Sequence, residues 1–291
     1  MLHKLMLLTN SLHGYLQKWL IDLNIYRVPN LRTESFAQDV VVSLTSYGRR
    51  VSSNVVYYTI VSLLRQSIQP ERIILWLAED EWNDNTIPAK LANLKNKGVE
   101  IRYCQDLRSY KKLVPTIELC PGKSIVTVDD DVIYSTDLLA SMLHTHRVYP
   151  NDVICLNSIK PELTNGIPKG YKTWNDYEGP TSSMLVFPIG VGGTMYPAGS
   201  LHPDVTKKDL FQKLCPIADD IWFWFCGLRN GTMKHYIYKK KSDTSFDRIY
   251  QVTHSGSALT HSNKFEDKND KQFHDLFTYY NVHLTNEGKL I

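Results

Sequence analysis

The chain of 291 residues has no apolar run approaching the roughly 18 residues that a bilayer-spanning helix needs. Its first stretch, Met1 to Tyr26, has neither the continuous apolar core nor the small-residue cleavage site of a secretory signal. These absences predict that nothing spans a membrane and that the protein stays in the cytoplasm. Cysteine is sparse: Cys104, Cys120, Cys155, Cys215 and Cys226 are odd in number, scattered and free of any C-x-x-C pair, which excludes a disulfide frame or a thiolate zinc site and predicts reduced core residues. Charge of one sign is scarce too. A net charge of +3 is too small to point to nucleic acid as a partner. Lys239-Lys240-Lys241 and the lysines between 264 and 271 read either as a solvated basic face or as a patch for anionic lipid or a phosphate-bearing substrate. There is no internal repeat and no low-complexity segment.

What is present is alternation. Leu5, Leu8, Leu12, Leu16, Trp19, Leu20 and Leu23 recur at helical spacing, predicting an amphipathic helix that packs on the main domain or a second subunit, or rests on a membrane surface. Val40 to Leu44 reads as a buried strand, Val56, Ile60, Leu63 and Leu64 as a helix, and Arg72 to Leu77 as a second strand. A helix from about Pro88 to Gly98 leads to the strand Val99–Tyr103. The apolar strand Ser124–Val128 then runs into Asp129-Asp130-Asp131, with Ser135 or Thr136 capping the next helix. This order predicts an α/β fold with a mainly parallel sheet covered on both faces. Residues 158–205 read as site-forming loops around a short strand, Met184–Phe187. Helices at Leu210–Leu214 and Ile221–Leu228, a strand at His235–Tyr238 and a helix from about Asp270 to Tyr280 follow.

In open α/β sheets ligands bind beyond the carboxyl ends of the strands, where Asp129, Asp130 and Asp131 fall. Three adjacent carboxylates repel one another; a divalent cation relieves this, and oxygen donors suit Mn²⁺ or Mg²⁺ better than zinc or copper. The alternative is an acidic turn capping a helix. In Ser43–Arg50 the hydroxyls, Thr45 among them, and Tyr47 can hold a nucleobase and ribose, while Arg49 or Arg50 reaches phosphate. Arg108–Lys112, with Lys111 and Lys112, precedes the aspartate strand and can approach the same crevice. The glycine-rich run Pro188–Thr194 lacks a dinucleotide or P-loop fingerprint and lets backbone approach a ligand. Asp219-Asp220 opens an aromatic helix, so one carboxylate can cap it while the other points into a cleft with a raised pKa suited to a general base. His254 and His261 can complete a metal shell.

Taken together, VVSLTSYGRR (41–50), RIILWLAEDE (72–81), EIRYCQDLRSYKKLVPT (100–116), VTVDDD (126–131), PIGVGGTMYPAGSLHPDV (188–205) and CPIADDIW (215–222) resemble bacterial GT-A glycosyltransferases, similar to family 2, of surface polysaccharide synthesis. The resemblance implies a Rossmann-like GT-A domain divided into an N-terminal helical extension (1–36), a nucleotide-sugar-binding half (37–157), an acceptor-binding and catalytic half (158–255) and a C-terminal helical tail (256–291). It implies transfer of a hexose from a UDP-sugar, with inversion, to a lipid-linked glycan or oligosaccharide, with peripheral contact at the inner face of the cytoplasmic membrane and no nucleic acid. By the same resemblance Asp131 is a metal ligand, Asp129 or Asp130 contacts ribose or the metal, and Asp220 is the base. Gly192, Gly193 and Trp222 are expected on the acceptor side, and a C-terminal histidine, His254, His261 or His274, in the metal shell, with His254 the first choice. The pattern departs at Ala218-Asp219-Asp220, where many relatives carry a Glu-Asp pair, which leaves the choice of base between Asp219 and Asp220. The readings set against it are a nucleotidyltransferase, disfavoured by the single glycine, Gly48, after the first strand, a non-catalytic nucleotide-sugar-binding subunit, and a two-metal phosphoesterase lacking its dispersed ligands.

Overall fold

The computed structural model describes residues 16–23, 28–31, 36–178, 182–237, 250–251 and 268–291. An eight-stranded sheet organises the chain. Its strands are β1 (Phe36–Thr45), β2 (Gln69–Ala78), β3 (Val99–Cys104), β4 (Ser124–Thr127), β5 (Val153–Cys155), β6 (Ser182–Ser183), β7 (Thr194–Tyr196) and β8 (Lys234–Tyr236), in the spatial order β6-β8-β5-β7-β4-β1-β2-β3. Six strands run one way; β7 and β6 are reversed. The helices that matter most here are α1 (Val55–Leu64), α2 (Val114–Leu119), α3 (Leu138–Val148), α4 (Lys208–Leu214), α5 (Asp219–Arg229) and α6 (Lys268–Tyr280). The expected mixed α/β fold with a mainly parallel sheet flanked by helices is the one observed.

Strand periodicity explains the continuous apolar runs. Successive side chains point to opposite faces, so Val40, Val42 and Leu44 with Ile73, Leu75 and Leu77 join one core against α1 and α3, while Val41, Ile74 and Trp76 join another. Burial on both sides leaves no polar alternation, the pattern expected of parallel strands. A third, aromatic core gathers Trp222, Phe223, Trp224 and Phe225 of α5 with Phe211 of α4 and Phe273 and Phe277 of α6. All five cysteines are free and four are buried.

Several boundaries differ from the sequence expectation. Asp137, not Ser135 or Thr136, precedes α3, and the Ser135 hydroxyl instead accepts from the Asp137 N–H (3.2 Å). Residues 184–186 lie in a turn; the extended pairs are Ser182–Ser183 and Phe187–Pro188. Residues 16–22 are helical, with Ile21 in the core and Asp22 accepting from the Tyr58 hydroxyl (2.9 Å), while Leu5, Leu8 and Leu12 lie outside the described residues, as does Tyr238. Among the described residues no helix is long and apolar enough to cross a membrane.

The sheet order places a switch point beside β1: the chain steps outward through β2 and β3, then returns to the other side as β4. Polar residues of α1 fix what leaves β4. The Thr59 hydroxyl donates to the Asp130 carbonyl (2.8 Å) and accepts from the Val132 N–H (3.2 Å), and the Ser62 hydroxyl accepts from the Tyr134 N–H (3.0 Å). Thr59→Val keeps the shape and leaves a buried carbonyl and N–H without partners, which costs about 1–3 kcal/mol. The expected outcome is a lower denaturation midpoint in urea with an unchanged slope; an unchanged midpoint would show that this pin contributes nothing.

Candidate active site

At the carboxyl ends of β1 and β4 a crevice of about 680 Å³ opens, in the size range of small-molecule sites. Its walls come from the β1 exit (Thr45, Tyr47, Arg50), the segment before α2 (Arg108 to Lys112), the aspartate turn, the glycine run and the start of α5. Strand β7 pairs antiparallel with β4, Thr194 opposite Thr127 and Tyr196 opposite Ile125, so the glycine run that enters β7 lies alongside the aspartates that leave β4. Tyr134 ties the two: its hydroxyl accepts from the Asp129 N–H (2.9 Å) and donates to the Val191 carbonyl (3.2 Å).

Lysine and arginine divide the acids between them. Arg50 pairs with Asp130 and with Asp131 (3.0 Å), and the Ser46 hydroxyl donates to Asp130 (2.5 Å). The Lys112 ammonium sits between Asp219 (3.0 Å) and Asp129 (3.4 Å). Lys111 pairs with Asp106. Burial raises the Asp130 carboxyl to about 6 despite Arg50 and Ser46. Burial, then the Asp219 charge, raises Asp220 to about 7, against the pull of Lys112 and of the Gly190 N–H, which donates to Asp220 (3.3 Å). Burial alone would lower Lys112, but Asp219, Asp129 and Asp220 outweigh it and hold the ammonium well above the usual lysine range.

Gly190 is the pivot. A Cβ there would stand 3.0 Å from Lys112 Nζ, 3.3 Å from Asp220 Oδ1 and 3.5 Å from Asp129 Oδ1, so only a residue without a side chain leaves the three groups open to one ligand. The glycines expected on the acceptor side, Gly192 and Gly193, do not line the crevice. Gly192 is packed on Asn157, with Cβ approaches of 2.9–3.0 Å, and Gly193 (φ 87°) faces Met142 and Leu138. Trp222 is likewise displaced from its expected role: it is fully buried in the aromatic core and its indole N–H donates to the Val205 carbonyl (3.1 Å). Arg49 is exposed and turned away from the crevice that Arg50 lines. Thr45 lines it, with its hydroxyl donating to the Trp76 carbonyl (2.9 Å), and Tyr47 lines it 5.4 Å from the Arg50 guanidinium.

The first residue before α5 is Ala218, and neither aspartate caps that helix by a side-chain bond. Gln272 of α6 instead holds the turn that leads into the helix, accepting from the Ile217 (3.1 Å) and Ala218 (3.2 Å) N–H groups. Asp270 of α6 accepts from the Gly170 (3.1 Å) and Tyr171 (3.0 Å) N–H groups and so holds Tyr171, which lines the crevice with Trp174, Phe187 and Lys172. Sequence reasoning missed these aromatics; their only signal was the loop composition of residues 158–205.

Seven carboxylates (Glu81, Asp106, Asp129, Asp130, Asp131, Asp219, Asp220) line the crevice against five basic side chains (Arg50, Arg108, Lys111, Lys112, Lys172). Among the described residues no group of three or more His, Cys, Asp or Glu side chains could by itself hold a metal ion. Mg²⁺, however, is commonly held by one or two carboxylates, water and substrate phosphates rather than an all-protein cage. The oxygen donors and the excess of acid fit that mode, in which Asp129, now paired with Lys112, and Asp131, now paired with Arg50, would be the donors. His254 and His261 lie outside the described residues, and His274 is exposed on α6.

No family model matches the chain, and no curated protein matches it. Among solved structures it is similar to TarS 1–349 of S. aureus, at TM-score 0.42 and 14% identity over 68% of this chain and 56% of that one, so it spans little more than half of that structure. The same fragment has been solved in complex with UDP (TM-score 0.42, 13% identity, 68% of this chain and 56% of that one). A 2-C-methyl-D-erythritol 4-phosphate cytidylyltransferase from Thermus thermophilus is similar at TM-score 0.43 and 9% identity over 80% of this chain and 99% of that one. Likeness at this level carries nothing about chemistry, which rests on the crevice's own residues.

Gly190→Ala is expected to keep the fold, since the nearest atoms are ends of side chains, but to push Lys112 aside. If the crevice takes a nucleoside diphosphate, calorimetric titration with UDP should then give roughly tenfold weaker binding, the worth of one charge-assisted hydrogen bond; wild-type affinity would show that Lys112 does not touch such a ligand.

Proposed function

We propose that the chain is an inverting GT-A glycosyltransferase that moves a hexose from a UDP-sugar to a hydroxyl of a lipid-linked glycan or oligosaccharide in bacterial surface polysaccharide synthesis. The observation that supports this reading best is the opposition, across Gly190, of a buried ammonium and a carboxyl raised to about 7. A cation there answers a diphosphate leaving group; a carboxylate titrating near neutrality answers an acceptor hydroxyl.

In this mechanism the nucleotide lies along the β1 exit, with Tyr47 and Thr45 toward base and ribose and Arg50, Lys111 and Lys112 toward the diphosphate. Tyr171 and Trp174 offer aromatic faces to the sugar. Asp220 takes the proton of the acceptor hydroxyl as its oxygen bonds to the anomeric carbon, and the bond from that carbon to the diphosphate oxygen breaks on the opposite face. The electron pair leaves with UDP, whose charge Lys112 meets. Asp219 keeps Lys112 charged and raises Asp220, a positioning role. Bound at Asp129 and Asp131, Mn²⁺ or Mg²⁺ would supply further neutralisation of the diphosphate. Leu16, Trp19 and Leu23 are exposed, which suits peripheral contact with the membrane that carries a lipid-linked acceptor.

A panel of UDP-, GDP- and CMP-sugars, assayed for nucleotide release with Mn²⁺ or EDTA, tests the reaction. One UDP-hexose should be turned over, EDTA should suppress it, and Asp220→Asn should lower kcat on the order of 10²–10⁴-fold. Pyrophosphate release from a nucleoside triphosphate and a sugar phosphate, with no sugar transfer, would replace glycosyl by nucleotidyl transfer. Because the base must be ionised, kcat/KM should rise with pH through about 7. Lys112→Met removes the charge that lowers Asp220 and should move that limb to higher pH; a limb that stays in place or moves down would contradict the assignment.

A further inference from the structure

Arg50 is a cation already seated among the aspartates. It projects from the short helical turn Gly48–Ser52 that follows β1, pairs with the Asp130 carboxylate through Nη1 and reaches Asp131 through Nη2 (3.0 Å). One guanidinium thus bridges two of the three carboxylates that follow β4. The two carboxylates read as cation donors are not equally open. Asp129 keeps 32% of its side-chain surface exposed, and its partner Lys112, at 3.4 Å, is also held by Asp219 at 3.0 Å. The Asp131 side chain is only 9% exposed, too little for an ion that arrives with several of its waters. Asp131 is therefore the covered donor, and Arg50 is the cation that stands at its carboxylate.

The bridge is firmer at one end than its own two bonds make it. Asp130 is fixed by groups other than Arg50: the Ser46 hydroxyl donates to its carboxylate (2.5 Å) and the Thr59 hydroxyl to its carbonyl (2.8 Å). Arg50 can therefore pivot on Asp130 while Nη2 leaves Asp131. The guanidinium is also incompletely satisfied where it stands, because its Nε is buried and has no hydrogen-bond partner. A buried donor in that state favours any rearrangement that brings it an acceptor. The guanidinium lies 5.4 Å from the centre of the Tyr47 ring, and both residues line the crevice, so a nucleotide seated on Tyr47 lies beside Arg50. Its planar fork suits a phosphate as well as it suits a carboxylate.

We propose that Arg50 is an exchangeable internal counter-ion: it covers Asp131 while the crevice is empty and moves to a phosphate of the nucleotide, so that nucleotide and divalent cation bind together. This rests on the glycosyl-transfer reading and gives Arg50 a positioning role within it. No covalent bond changes. The hydrogen bond from Nη2 to Asp131 breaks, one to a phosphate oxygen forms, and the uncovered carboxylate becomes a donor for Mn²⁺ or Mg²⁺. A ligand that binds only the uncovered form has its affinity reduced by the fraction of molecules in that form, so a cover that is closed about 90% of the time weakens the cation about tenfold. A nucleotide that draws Arg50 away restores that factor, and by reciprocity the cation strengthens the nucleotide equally. The seven carboxylates that line the crevice would otherwise collect cations with no substrate present.

The test is the binding of Mn²⁺ alone to the full chain, read from the loss of the paramagnetic resonance signal of free aquo Mn²⁺. Arg50→Met should bind Mn²⁺ about tenfold more tightly than wild type, and adding Asp131→Asn should abolish the gain. Arg49→Met, which removes the same charge from an exposed neighbour, should leave the affinity as it is. A gain under about twofold in Arg50→Met, or an equal gain in Arg49→Met, would overturn the proposal. If Arg50→Met alone does not fold, Arg50→Met with Asp130→Asn, which removes both partners of the buried pair, carries the same expectation. The second reading is calorimetric titration with UDP in EDTA and in excess Mn²⁺. The strengthening that Mn²⁺ gives should be about tenfold smaller in Arg50→Met than in wild type; the complex of Mn²⁺ with UDP in solution is common to both, so equal strengthening would overturn the exchange. If UDP binds neither protein, the glycosyl-transfer reading fails by itself, and the Mn²⁺ comparison still decides whether Arg50 covers the cation donor.

Discussion

The interaction on which the rest depends is the ion pair that Lys112 makes with Asp219 and Asp129 beside Gly190. An ammonium that far from water is stable only because carboxylates from two different elements face it, and those carboxylates tolerate their proximity only because the ammonium is there. The pairing joins the turn after β4 to the start of α5, two segments about 90 residues apart in the chain. The acids that line the crevice outnumber its bases, a charge imbalance that a divalent cation would relieve. The Asp220 and Asp130 carboxyls are raised chiefly by burial, with a neighbouring carboxylate, Asp219 for the one and Asp131 for the other, adding to it.

Such a cluster needs a rigid frame. Helix α1 supplies part of it by turning Thr59 and Ser62 toward the chain that leaves β4. Tyr134 supplies another by spanning from the aspartate turn to the glycine run. Helix α6 completes it from the far end of the sequence, with Gln272 under the turn into α5 and Asp270 under Tyr171. Residues that look like a tail thus orient both the acid pair and an aromatic wall.

Much of the sheet was legible in the sequence because both of its faces are buried, so strands such as Ile73–Leu77 read as unbroken apolar runs. The aspartates were legible for a related reason: three carboxylates directly after a buried strand have no place in a core. What could not be read was direction. Arg49 and Arg50 are neighbours in a single helical turn, about 100° apart, and only the fold decides which reaches Asp130. Gly190, Gly192 and Gly193 share one run, yet one opens the crevice while the others make close packing possible. Trp222 sits in a helix that is apolar almost all round, where spacing cannot separate core from cleft, and Tyr171 owes its place to Asp270, about 100 residues downstream.

The most direct measurement is a crystal structure of the protein with UDP and Mn²⁺. The account predicts the β-phosphate beside Lys112 at Gly190, the ion between that phosphate and the Asp129 and Asp131 carboxylates, and the uracil toward Tyr47. A nucleotide seated elsewhere, or one in the crevice whose phosphates avoid Lys112 and turn toward solvent, would contradict it.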